Sequence, residues 1–207
     1  DSRMAITLAL TASNLGATLI NYVEVTGVLK KNELITGLEV LDHESEQRYT
    51  VKTKTVINAT GVFSDRIVKL DQPEAQPMIR PSQGVHLVLE RAFLDGPHAI
   101  MIPHTSDGRV LFAVPWHDHV VLGTTDTPID YADEEPKALE DEIAFILSNA
   151  SQYMTKKPKK EDVKSVFAGL RPLAAQQGDS MQTKEVSRHH KVNVSTSGLI
   201  SVLGGKW

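Results

Sequence analysis

Hydrophobic and polar positions change their period along the chain, and each change predicts an element. Residues 2–15 carry Met4, Ile6, Leu8, Leu10 and Leu15 with small Ala and Thr between them, and Gly16 follows where a helix end favours a left-handed residue. This spacing predicts an amphipathic helix. Residues 17–22 (ATLINY) then read as a buried strand reached by almost no loop, one step of an α/β layer. From residue 23 to 56 the period becomes two, with turn signals at Lys31-Asn32 and His43-Glu44-Ser45-Glu46, which predicts a three-stranded antiparallel meander. The meander returns the chain to a short β-branched strand over 55–58. That strand ends in Ala59-Thr60-Gly61, and a helix is predicted over 64–70. Strand, small residues and helix in that order let a backbone approach a nucleotide closely.

Pro73, Pro77 and Pro81 among polar residues make 71–81 a linker. Beyond it, strands are predicted over 84–90, 99–103, 109–116 and 120–124, with turns at 105–108 and 117–119, giving antiparallel sheet. Leu139, Ile143, Ile146 and Leu147 share one stripe and predict a helix over 136–153, acidic near its start. The run Lys156-Lys157-Pro158-Lys159-Lys160 reads as a solvated turn. Extended structure resumes over 163–168 into Gly169-Leu170-Arg171-Pro172. A polar loop over 174–184 and two strands over 186–195 and 199–203 complete the pattern.

Composition narrows the class. The 207 residues are 41% hydrophobic and 23% charged, with 13 Gly and 10 Pro, which excludes disordered, collagenous and coiled-coil chains. That length buries a sizeable core as one large domain or two small ones. Net charge is −4, and the lysine run is the only basic cluster, which argues against nucleic acid as the main partner. There are no cysteines, so disulfide frameworks, thiolate metal sites and thiol catalysis are excluded. No apolar run approaches the roughly 18–20 residues that span a bilayer, and no signal peptide is visible. The chain opens on Asp1 and stops at Gly204-Gly205-Lys206-Trp207, where a helix is expected to begin, so it reads as an internal piece of a longer protein.

Candidate chemistry concentrates at strand ends. His86 lies two residues past Gly84 on an apolar strand, facing away from Val85, Leu87 and Leu89. By position alone a structural histidine is the commoner outcome; the sharper reading is a general base, since neutral imidazole accepts a hydroxyl proton near neutral pH. Arg171 precedes Pro172 and is therefore held extended, so its planar fork is aimed. It suits anion recognition, with an interdomain salt bridge as the equal alternative. Arg188 and Lys206 offer two further cations from separate strand ends. Gly204-Gly205 before Lys206 permits close backbone approach to a phosphate or to an electron-rich ring. Gly123-Thr124-Thr125-Asp126-Thr127-Pro128 reads as a capped turn. His117 and His119 on a hairpin lack an acidic third ligand, and no metal is assigned.

Taken together, VINATGVFSD, PSQGVHLVL, IPHTSDGRVLFAVPWHDHVVLGTTDTP, FAGLRPL and LISVLGGKW resemble, in this order and spacing, the FAD-dependent glycerol-3-phosphate dehydrogenases of the D-amino-acid-oxidase-like superfamily. The resemblance covers nearly the whole chain. It implies a mixed α/β (α+β) fold, a partial FAD-binding Rossmann-like domain interleaved with an antiparallel-sheet substrate domain. The expected boundaries are 1–72 and 173–207 for the flavin part and 73–172 for the substrate part. Ala59, Thr60, Gly61, Gly204 and Gly205 match positions against the FAD. His86, Arg171 and Lys206 match active-site positions, and Arg188 a phosphate-side arginine.

The implied reaction is oxidation of sn-glycerol 3-phosphate to dihydroxyacetone phosphate, with hydride leaving C2 for flavin N5 and His86 taking the hydroxyl proton. The implied acceptor is a quinone, in a cytoplasmic protein at the inner face of the cell membrane, homodimeric at full length. The family's N-terminal G-x-G-x-x-G fingerprint is missing, so this stretch alone is expected to bind FAD poorly and to be inactive. Val62-Phe63 replaces the family's frequent Pro-Trp. Three alternatives stay open: an oxygen-using glycerol-3-phosphate oxidase, an amino-acid-oxidase-like enzyme acting on carboxylates, and a non-catalytic binding module.

Overall fold

A computed structural model describes residues 2–175 and 190–205. The chain divides into two units, Asp1–Met78 with Arg188–Trp207, and Ile79–Ser187.

In the first unit, helix α1 (Ser2–Asn14) forms as its spacing predicts, and Gly16 takes a left-handed φ of 95° behind it. None of its residues is buried; the apolar stripe that makes it amphipathic faces solvent. The strand expected over 17–22 does not form. Tyr22 turns to φ 57°, Leu19 and Ile20 are exposed, and among the described residues no strand lies alongside to satisfy that backbone.

The meander is present as β1 (Val23–Lys31), β2 (Leu34–Asp42) and β3 (Gln47–Lys52), paired antiparallel in that order. Its turns fall where the polar residues stand, with Asn32, Glu33 and Glu46 at positive φ. Strand β4 (Val56–Asn58) follows, then a single 3-10 turn and helix α2 (Ser64–Asp71). Ile35, Val56, Val68 and the later Leu199 form this unit's core, with Val28, Leu38 and Met78 against them. Asp71 closes it: its carboxylate meets Lys30 Nζ at 2.8 Å and accepts from Ser195 and Ser197. These bonds hold the carboxyl below its usual value despite the opposing effect of burial.

The second unit opens on β5 (Ile79–Glu90), longer than the pattern suggests, because extended structure starts inside the expected linker. Pro81 fits there because its backbone turns away from its register partner Pro172 and its carbonyl accepts from the Ile129 N–H on the other side, so the missing N–H removes no bond to the Pro172 strand. Strands β6 (Ile100–Ile102), β7 (Leu111–Trp116), β8 (His119–Gly123), β9 (Thr127–Pro128) and β10 (Ser165–Ala174) complete an antiparallel sheet in the order β10-β5-β8-β7-β6, with β9 also on β5.

Helix α3 (Glu140–Ala150) begins later than expected, with the Glu142 carboxylate accepting the Leu139 N–H at its entry. Its Ile146, Leu147 and Ala150 pack on Val85, Leu87, Leu89, Ile102, Leu111, Val120 and Leu122, so one face of the sheet is the core and the other is open. The lysine run is not merely solvated: Lys156 sits 4.1 Å over the Phe93 ring and Lys160 pairs with Glu140.

The chain then returns to the first unit as β11 (Lys191–Val194) and β12 (Leu199–Leu203). Strand β12 pairs antiparallel with β11 and parallel with β4. Strand β11 is shorter than the 186–195 expected, whose first residues lie outside the described ones. Gly204 and Gly205 follow at φ 74° and 107°, and the helix expected to begin there falls on residues outside the described ones.

Candidate active site

The open face of the second unit's sheet carries the candidate residues. Alternation places Ser82, Gly84 and His86 of β5 on that face, because Val85, Leu87 and Leu89 turn to α3. The neighbouring β10 pairs Phe167 with His86, Gly169 with Gly84 and Arg171 with Ser82, which puts Phe167 and Arg171 on the same face. On the other side β8 pairs Gly123 with His86, and β7 pairs Phe112 with Gly123.

Two of these glycines are gaps in the sheet surface that candidate side chains fill. A Cβ at Gly84 would lie 2.3–2.7 Å from the Arg171 guanidinium, and one at Gly123 would lie 2.5 Å from His86 Cδ2. The guanidinium thus lies across Gly84, and the imidazole leans over Gly123. His86 stacks on Phe167 with ring centroids 5.0 Å apart and planes 11° from parallel. Burial first, and the nearby Arg171 charge second, push the imidazole pKa below its usual 6.5. At neutral pH this histidine is uncharged and able to accept a proton.

Arg171 is held by the segment between β8 and β9. Its Nη2 donates to Thr124 Oγ1 at 3.2 Å, and its Nη1 lies 3.5 Å from Asp126 Oδ1, which also accepts from the Ser82 hydroxyl. That segment is pinned from behind. Glu142 of α3, almost fully buried, accepts from Thr125 at 2.9 Å, Thr127 at 2.6 Å, Gln83 at 2.7 Å and the Leu139 N–H at 2.9 Å. Fixing Thr125 and Thr127 inward leaves Asp126, between them, pointing outward to Arg171. A buried carboxylate without such donors would be costly; here four donors convert it into an anchor.

In the first unit, β4 and β12 run parallel with Asn58 opposite Ser201, so Ala59-Thr60-Gly61 and Gly204-Gly205 leave from the same edge, the carboxyl ends of two parallel neighbours. Open α/β sheets bind ligands at such ends. Gly61 has φ 59°, and a Cβ at Gly61 or Gly205 would meet nothing within 4 Å, so both turns offer bare backbone at the surface. Asn58 shapes the first turn: buried, it accepts from Thr60 Oγ1 at 2.8 Å and donates to the Ser64 carbonyl and to Ser201 Oγ. These turns have the small residues and space that a flavin nucleotide requires.

Of the residues singled out by sequence, His86 and Arg171 share one sheet face, and the two glycine turns share one sheet edge. Arg188 and Lys206 lie outside the described residues. Sequence reading passed over Glu142, Asp126, Phe167 and Asn58. The only signal at Asp126 was the polar run of residues 124–127, read as a turn. Among the described residues, no group of three or more His, Asp or Glu side chains is placed to hold a metal.

Comparison with known proteins gives the family of the chain. A family model described as DAO, FAD dependent oxidoreductase, matches residues 1–207. The chain is 39% identical to the mitochondrial glycerol-3-phosphate dehydrogenase of Mus musculus, over 100% of this chain and 29% of that protein. It is also 39% identical to a probable mitochondrial glycerol-3-phosphate dehydrogenase of Dictyostelium discoideum, over 100% of this chain and 35% of that one. The chain therefore spans about a third of the length of these curated relatives. Among solved structures, a glycerol-3-phosphate dehydrogenase of Bacillus halodurans complexed with FAD superposes with a TM-score of 0.80 at 30% identity, covering 94% of this chain and 37% of that one. An L-alpha-glycerophosphate oxidase of Mycoplasma pneumoniae shares the fold, with a TM-score of 0.68 at 19% identity over 96% of this chain and 48% of that one. With the family model spanning every residue, the chain belongs to the DAO family of FAD-dependent oxidoreductases.

Proposed function

We propose that the protein containing this chain oxidises sn-glycerol 3-phosphate to dihydroxyacetone phosphate. The observation that carries the reading is the shared sheet face on which an uncharged His86 and a fixed Arg171 occupy gaps left by Gly123 and Gly84. The 39% identity to glycerol-3-phosphate dehydrogenases supports it. FAD, when bound, supplies the two-electron acceptor that takes hydride from C2. Ala59, Thr60, Gly61, Gly204 and Gly205 would hold it through their backbone, with open space beside Gly61 and Gly205.

His86 takes the C2 hydroxyl proton on its free imidazole nitrogen. Arg171, pre-aimed by Thr124 and Asp126, binds the phosphate or polarises the developing carbonyl oxygen, and Arg188 and Lys206 add positive charge. In this division of labour, residues 73–172 hold substrate, while 1–72 and 173–207 hold cofactor. Electrons go on to a quinone, with the protein at the inner face of a membrane. No helix of the described residues is long and apolar enough to cross one.

The test is anaerobic mixing of the full-length, FAD-loaded protein with glycerol 3-phosphate while the flavin absorbance is followed. Bleaching that disappears in His86→Ala, with FAD content kept, is the expected result. Bleaching by amino acids and not by glycerol 3-phosphate would overturn it in favour of an amino-acid oxidase. A colourless protein would favour a binding module. Oxygen uptake in place of quinone reduction would reassign the acceptor.

A further inference from the structure

We propose that Phe167 is a positioning residue that, with Gly123, forms a slot fixing the plane of the His86 imidazole. The inference rests on the reading of His86 as the base, and it goes further by assigning what aims that base. Phe167 is the direct cross-strand partner of His86 on β10, and Gly123 is its direct partner on β8, so the two flank the histidine from opposite sides. The phenyl ring lies 5.0 Å away and 11° from parallel. On the far side the imidazole occupies the space a Gly123 side chain would take, with Cδ2 only 2.5 Å and Cγ 2.9 Å from that Cβ position.

A ring held between a flat aromatic and bare backbone has little freedom to rotate about its side-chain torsions. Without the phenyl, the imidazole could swing into the space that ring leaves, and its nitrogens would move away from any one direction. Core packing does not account for the aromatic at 167. The residue is 49% exposed and stands on the sheet face opposite α3, so its contact is with the histidine and not with the hydrophobic core. Cross-strand aromatic pairs of this kind are a common way to hold two side chains in one geometry on a sheet.

The test uses the full-length, FAD-loaded protein with Phe167→Leu, Phe167→Ala and Phe167→Tyr. Leucine keeps bulk and removes the flat ring; tyrosine restores the ring. The limiting rate of flavin reduction by glycerol 3-phosphate should fall roughly tenfold in Phe167→Leu and Phe167→Ala, a fraction of what a general base contributes. Half-saturation should stay within about threefold, and Phe167→Tyr should recover the rate. In a His86→Ala background, Phe167→Ala should cost nothing further.

A second readout does not depend on turnover: carbethoxylation of His86 by diethyl pyrocarbonate, followed by peptide mass spectrometry, should be faster in Phe167→Ala than in the parent. A wild-type protein whose flavin glycerol 3-phosphate does not bleach would sink the proposed function, yet the modification rate would still report on the slot. An unchanged modification rate, a wild-type reduction rate in Phe167→Leu, or an equal loss in the His86→Ala background would each overturn the assignment.

Discussion

Gly84→Ala tests the anion site without removing any charge. The residue sits in β5 outside the positive-φ region, so an alanine is conformationally allowed. Its methyl, however, would stand 2.3 Å from Arg171 Nη2, 2.6 Å from Nη1 and 2.7 Å from Cζ. These atoms end a flexible side chain, so the fold survives and the guanidinium moves, by about 1 Å, to reach ordinary contact. The 3.2 Å bond to Thr124 and the 3.5 Å approach to Asp126 cannot both persist after that shift. A positioned charge-assisted hydrogen bond contributes about 1.5–3 kcal/mol, and each ~1.4 kcal/mol is a factor of ten. Half-saturation by glycerol 3-phosphate in anaerobic flavin reduction should therefore rise on the order of 10–100-fold. Denaturant unfolding should change by less than about 1 kcal/mol, as for an unstrained Gly→Ala exchange. In an Arg171→Ala background the substitution should have no effect on substrate affinity. Unchanged affinity in a folded Gly84→Ala protein would show that the position of Arg171 over Gly84 is irrelevant to binding.

The other predictions concern pH and the two buried carboxylates. Flavin reduction should fall as pH drops through the pKa of His86, with a midpoint below the usual 6.5; Arg171→Met should move that midpoint upward, because it removes the second cause of the depression. A midpoint unaffected by Arg171→Met would separate the two residues electrostatically. Glu142→Gln places an amide among four donors and should destabilise the second unit by about 2 kcal/mol in denaturant, with a rise in half-saturation as the 124–127 segment loosens. Loss of stability without any change in substrate affinity would deny it the positioning role. Asp71→Ala should destabilise the first unit by about 3 kcal/mol, since Lys30, Ser195 and Ser197 lose their common partner. The Asp71 carboxyl is held below 3.8, so its contribution is present above that pH and drains away as pH falls through the lower folded value. Denaturant midpoints measured between pH 5 and pH 2 follow this loss, and Asp71→Ala should flatten it.

Where one element's own period decided its structure, the sequence was a good guide. The β1–β3 meander and β12 follow from alternation, and α1 and α3 from helical spacing. The strand expected at 17–22 failed because a strand is defined by its neighbour, and alternation carries no information about whether one is present. His86 and Arg171 could be singled out, but position alone left a structural histidine and a salt bridge open; the motifs PSQGVHLVL and FAGLRPL, through the family resemblance, pointed to the active site. Glu142 was not, since its meaning depends on Gln83, 59 residues away, and on a turn whose inward side only the sheet register reveals. Phe167 was hidden for the same reason: it becomes significant only once β10 places it opposite His86.

Strands β4 and β12 impose an order on folding. Asn58 and Ser201, which the parallel ladder makes partners, are 143 residues apart in the chain. Everything between them must be synthesised first, about 7–30 s at typical translation rates. The stretch Ile79–Ser187 is contiguous and can fold as it emerges. The residues before it must wait without Leu199 to complete the Ile35, Val56 and Val68 cluster, so the nascent first unit, with its unpaired β4 edge, is the aggregation-exposed part of the chain.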